Sequence, residues 1–158
     1  MKIYLASSFK HIESVKHVAD FLESQGFSIT EKWWARIYDI EGKDIVTTDL
    51  KKINDDLPPH EFYDITETIK SYILDLEGIQ NADALVFVAS DKTRKYNGAS
   101  IELGIALGLK KPCYLLGKLE NSVMFTPLIR CRDTFDLLGK LTDRWMSSDC
   151  AALRKEGQ

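Results

Sequence analysis

Ala84-Leu85-Val86-Phe87-Val88-Ala89, the polar loop Ser90–Asn97, and then Gly98-Ala99-Ser100-Ile101-Glu102-Leu103-Gly104-Ile105-Ala106-Leu107-Gly108 form the stretch that decides the fold. The unbroken apolar run reads as a strand buried on both faces, the kind found in parallel sheets. The small and apolar residues after the loop read as a helix, ended by Lys110-Lys111-Pro112. Open α/β sheets bind ligands in the crevice beyond the carboxyl ends of their strands. The reading puts Glu102 in the first turn of the helix, facing that crevice. Gly98, in the loop before it, lets a ligand approach the backbone. Glu102 is therefore the first candidate for a catalytic group.

Working outward, the same alternation continues. Ile3–Ala6 reads as a short buried strand, broken by Ser7-Ser8-Phe9. Ile12, Val15, Val18, Ala19 and Leu22 repeat at helical spacing, and Gly26 ends that helix. Phe27–Trp34 reads as a second strand. Ile37–Pro59 is the least regular part, expected to hold a short helix or a mobile flap before the Pro58-Pro59 stop. From His60 a helical pattern runs through Ile65, Ile69, Tyr72, Ile73, Leu76 and Ile79, with Ile73, Leu76 and Ile79 as its buried stripe. Cys113–Leu116 is a further strand, closed by Gly117, and a weak strand follows around Leu128-Ile129. A last helix begins near Thr134 and passes Leu137, Leu138, Leu141 and Trp145; the polar tail after Ser147 is expected to fray. Strand and helix alternate throughout, which predicts a mainly parallel sheet with helices on both faces.

Composition narrows the function. The 158 residues suffice for one domain with a real core, and 44% hydrophobic with 28% charged residues is ordinary for a soluble protein. A net charge of −3 gives no bulk attraction for a nucleic acid polymer. Cys113, Cys131 and Cys150 are widely spaced and odd in number, which fits a reducing cytoplasm rather than a disulfide framework. The apolar stretch at the start is too short for a signal peptide or a membrane span. No His, Cys pair or acidic cluster has metal-ligand spacing, so neither a metal nor another cofactor is expected. The loop before Glu102 carries one Gly and no Lys-Ser or Lys-Thr, and is neither a Walker motif nor a dinucleotide fingerprint.

The positions just past the strand ends are rich in aromatics and small polar residues, a combination suited to a planar heterocycle carrying a sugar. Glycosidic chemistry normally uses two carboxyl groups. Asp75, in Tyr72-Ile73-Leu74-Asp75-Leu76-Glu77-Gly78-Ile79, is the second candidate. Its position beside the apolar stripe predicts partial burial and a raised carboxyl pKa, as a proton donor needs.

Three segments carry a family resemblance: Ile3-Tyr4-Leu5-Ala6-Ser7-Ser8-Phe9; Asp75-Leu76-Glu77-Gly78-Ile79-Gln80-Asn81-Ala82-Asp83; and Gly98–Gly108 followed by Lys111-Pro112. In order and spacing they resemble the nucleoside 2-deoxyribosyltransferases and the related 2'-deoxynucleoside 5'-monophosphate N-hydrolases. The resemblance implies that Glu102 is the nucleophile attacking C1', that Asp75 assists the departing base, and that Tyr4 stands near the nucleophile. It puts Ser8 where the hydrolases bind a phosphate. It implies a flavodoxin-like, Rossmann-like three-layer domain over residues 1–147, with about five strands and a polar tail at 148–158. It also implies a homodimer or higher homo-oligomer with shared active sites, acting on a small-molecule nucleoside or nucleotide. Six positions before Glu102 the transferases carry Asp and the hydrolases Ser; here Tyr96 stands there, with Asn97 or Asp91 as polar substitutes. Asn121 and Phe125 are placed as lid or neighbouring-subunit contacts by position.

Simpler readings stand beside these. A Glu in a first helical turn is favourable at the positive end of the dipole. Tyr4 on a first strand suits a core, and Ser7 and Ser8 suit a helix cap. Phe9, Gly98 and Ser100 are assigned to the substrate by position alone. Trp33 and Trp34 cannot both face one side of a strand, so Trp34 is assigned to the base pocket. Lys92, Arg94 and Lys95 read as a solvated loop face. A nucleotide-sensing domain that kept the fold without turnover is the non-enzymatic alternative.

Overall fold

The computed structural model describes residues 1–40, 43–46, 66–89, 97–118 and 127–153. In chain order the elements are β1 (Lys2–Ala6), α1 (Ile12–Ser24), β2 (Ser28–Ile29), β3 (Ile37–Ile40), β4 (Lys43–Val46), α2 (Thr66–Asn81), β5 (Ala84–Val88), α3 (Asn97–Gly108), β6 (Cys113–Leu116), β7 (Ile129–Cys131) and α4 (Thr134–Leu153). Short 3-10 turns occupy Phe9–His11 and Trp33–Ala35.

Five strands pair in the order β2-β1-β5-β6-β7, every neighbour parallel. Tyr4 lies opposite Leu85, and Leu85 opposite Cys113. All residues of β5 and β6 are buried, as apolar runs covered by helices on both faces require. α2 and α3 pack together on one face; α1 and α4 pack together on the other. Strand order reverses between β1 and β5, so the ligand crevice of such a sheet opens beyond Ala6 and Val88.

Local signals account for much of this. The buried face of α1 is Ile12, Val15, Val18, Ala19 and Leu22. Gly26, at φ +85°, ends it: the Gly26 N–H donates to Glu23 O and the Phe27 N–H to Leu22 O, a Schellman closure. Lys111 Nζ donates to Gln80 O and Ala82 O, satisfying carbonyls at the end of α2 and tying that helix to the start of β6.

Several expectations are corrected. The second strand is only Ser28–Ile29, and Trp33 and Trp34 lie on a 3-10 turn that buries both. Ile37–Ile40 and Lys43–Val46 pair as antiparallel strands β3 and β4; the rest of 37–59, where a short helix or mobile flap is expected, lies outside the described residues. Ile73 is exposed on α2, so its stripe is not the core face; Ile79 alone of the three is fully buried. α3 begins at Asn97, which puts Gly98 inside a helix and Glu102 in the second turn. α4 continues past Ser147 to Leu153.

Candidate active site

β1, α2 and α3 each bring one polar side chain to the same buried place. Tyr4 lies in a strand whose neighbours Ile3 and Leu5 are fully buried, and its ring is fully buried too. Its hydroxyl donates to Asp75 Oδ1 at 2.9 Å. Glu102, reaching in from α3, is the other carboxyl beside that hydroxyl. A phenol holds one proton, so Tyr4 can donate to only one carboxylate at a time. Glu102 Oε2 is out of water and accepts no hydrogen bond among the described residues.

A fourth group completes the cluster. Arg36 Nη2 donates to Asp75 Oδ1 at 2.7 Å, and Arg36 Nε donates to Glu31 Oε1 at 2.8 Å. Asp75 Oδ1 thus accepts from both Tyr4 and Arg36, which leaves Oδ2 as the oxygen able to carry a proton. Glu31 stands directly over α2 where Gly78 leaves room. A Cβ on Gly78 would come within 2.7 Å of Glu31 Cβ and 3.1 Å of the Tyr4 ring. A glycine inside a helix costs about 1 kcal/mol relative to alanine, and here close approach is the reason for it.

The electrostatics follow from this arrangement. Burial pushes Glu102 up to about 8, the charge of Asp75 adds to the rise, and Tyr4 and Arg36 pull against it. Tyr4 is raised well above the usual phenol range, first by burial and then by the two carboxylates. For Arg36, burial opposes the charge, and the bonds and charges of Asp75 and Glu31 overcome it, so its pKa is raised. Glu102 is thus a strongly raised carboxyl at the centre of the cluster.

β1, α2 and α3 thus bring a Tyr-Asp-Glu cluster together inside the fold. Residues 3–141 fit the family model described as nucleoside 2-deoxyribosyltransferase. The chain belongs to that family. The CMP N-glycosidase BcmB of Clostridium botulinum has a similar structure, with a TM-score of 0.51 over 90% of this chain and 99% of that one. At 16% identity that likeness speaks for the fold. No curated protein matches the sequence.

The other residues that the family resemblance and the strand ends suggested are placed more diversely. Ser7 Oγ donates to Val88 O at 2.7 Å, joining the exits of β1 and β5. Ser8 Oγ accepts from the Lys10 N–H at 3.4 Å and caps the 3-10 turn. Phe9, partly exposed, meets the edge of Trp33, which meets the edge of Trp34. Trp33 Nε1 donates to Leu5 O, which fixes this aromatic row on β1. Gly98 is exposed and a Cβ there would meet nothing, so close packing does not demand that glycine. Ser100 is half-buried on α3. Asn97 opens α3; Asp91, Asn121 and Phe125, like Tyr96 and the basic residues 92–95, lie outside the described residues.

Glu31, Arg36 and Gly78 were not singled out as site residues from the sequence. Arg36 is 39 positions from Asp75 and follows no motif or spacing. Gly78 did carry a signal: a glycine in mid-helix, three residues after the candidate acid.

Proposed function

We propose that this chain cleaves the N-glycosidic bond of a nucleoside or nucleotide, most simply a deoxynucleoside, through a covalent sugar ester on Glu102. The observation that carries the reading is the buried Tyr4 hydroxyl bonded to Asp75 with Glu102 beside it. Glu102 attacks C1', the C1'–N bond breaks, and its electron pair leaves with the base. Asp75 supplies the proton the base needs. Water or a second base then attacks C1' and frees Glu102.

The proton arrangement supports these roles. Burial keeps Glu102 protonated near neutral pH. Loss of that proton gives the ionised nucleophile, and a proton on Asp75 Oδ2, the oxygen that Tyr4 and Arg36 leave free, gives the acid. Positive charge developing at C1' favours that state.

A 5'-monophosphate is the second reading of the substrate, supported by Ser8 at the exit of β1. The proposal also includes a homo-oligomer. Ile69, Tyr72 and Ile73 form one stripe on α2, exposed by 60, 56 and 47%, and Ile101 of the adjoining α3 is 62% exposed. An apolar stripe of this kind fits a second copy of the chain.

The test is incubation with a panel of deoxynucleosides and their monophosphates, with and without a free base. Base release or exchange is expected, with a glycosyl adduct on the Glu102 peptide by mass spectrometry. Absence of both across the panel would sink the reading.

A further inference from the structure

Arg36 reaches α2 from the segment between the Trp33–Ala35 turn and β3. Its side chain is only 9% exposed. Among the described residues its planar fork serves Glu31 Oε1 through Nε, Ser71 O through Nη1 at 3.2 Å, and Asp75 Oδ1 through Nη2. Ser71, Asp75 and Gly78 are spaced by four and three residues, so they share one face of α2. Arg36 therefore grips the turn that carries Asp75 by both backbone and side chain. Glu31, seated over Gly78, holds the other side of the fork.

We propose that Arg36 is a positioning residue for the glycosidic chemistry: it fixes Asp75 through Oδ1, so that Oδ2 is the oxygen offered to the departing base. The inference rests on the roles proposed for Asp75 and Glu102. It has an electrostatic corollary. Among the described residues, the titratable and charged groups facing Glu102 are Tyr4 from β1, Asp75 from α2 and Arg36. Arg36 is the cation of that set, and it offsets at Glu102 the charge of the Asp75 it holds. A guanidinium suits this task. A lysine keeps the charge but, as a single ammonium, cannot span Glu31, Ser71 and Asp75 in one plane.

The experiment compares R36M and R36K with the wild type in two ways: the pH profile of kcat/KM, and a carboxyl-carbon NMR titration of Glu102 in the protein without substrate. For R36M, kcat falls about tenfold or more, in the range of a lost positioning contact, while KM changes far less. Its acid limb and its Glu102 titration both move to higher pH. R36K also loses kcat, but the limb and the titration stay near the wild-type position because the charge remains. Wild-type kcat in both variants overturns the proposal. So does an equal loss in both with no movement of limb or titration, the mark of a merely structural residue. If R36M does not fold, R36K carries the test: wild-type kcat there overturns the proposal. If the wild type releases no base, the glycosidic reading fails by itself. The titration then decides the coupling of Arg36 to Glu102: upheld by a shift in R36M, overturned by none.

Discussion

The Tyr4 hydroxyl donates to Asp75 Oδ1 at 2.9 Å, across 71 positions of sequence. That bond joins β1 to α2, a helix packed over the sheet, with Glu102 beside the donor. It makes the three groups one unit, in which changing any member alters the proton balance of the others.

Glu102→Ala is expected to lower kcat for base release by roughly a thousandfold or more, as removal of a covalent nucleophile does. Single-turnover assays with a deoxynucleoside check it, together with loss of the adduct by mass spectrometry. Retained turnover would reject the covalent mechanism.

Glu102 also predicts how stability depends on pH. Its folded value, about 8, lies above the ordinary 4.5, so the folded state binds the extra proton. The contribution is fully present below pH 4.5 and is lost as pH rises through about 8. Urea unfolding of the wild type relative to Glu102→Gln is expected to show this loss, a few kcal/mol at most. A difference that stays flat from pH 4.5 to 8.5 would contradict it.

Asp75→Asn removes a charge that raises Glu102, so the acid limb of kcat/KM moves to lower pH. It also removes the proposed acid, with a fall in kcat of about a hundredfold or more. Substrates whose base leaves without protonation are expected to lose much less. Equal losses on both substrate types would argue against Asp75 as the proton source.

Gly78→Ala forces a methyl group against Glu31 Cβ and the Tyr4 ring. Overpacking of this kind costs about 1–3 kcal/mol, outweighing the helix propensity gained. Thermal unfolding is expected to show a lower Tm, and the assay a lower kcat, because both displaced residues belong to the cluster. An unchanged or raised Tm would show that α2 has room to move.

Ile73→Asp tests the exposed stripe on α2. Sedimentation is expected to show self-association in the wild type and a shift toward monomer in the variant. A wild type that is monomeric throughout would remove the shared-site part of the proposal.

Much of the fold was legible because burial writes itself locally. The run Ala84–Val88 is apolar without interruption, and α1 repeats its core residues at helical spacing before Gly26. Such patterns are dictated by backbone geometry and water, and they survive without knowledge of neighbours. Where local propensity was weak, the reading slipped: Trp33 and Trp34 are both buried because a 3-10 turn, not a strand, carries them. The exposed Ile73 looked like core because apolarity alone does not say what covers a face.

By itself, the sequence determined the strand–helix alternation, the parallel sheet, and the two carboxyl residues worth following, Asp75 and Glu102. Only the tertiary structure decided that the Tyr4 hydroxyl bonds Asp75, that burial raises the Glu102 carboxyl, and that Arg36, braced by Glu31, holds Asp75. The physical reason is range. Periodicity and caps act over a few residues, whereas desolvation and a shared proton depend on groups that meet only when β1, α2 and α3 pack around one point.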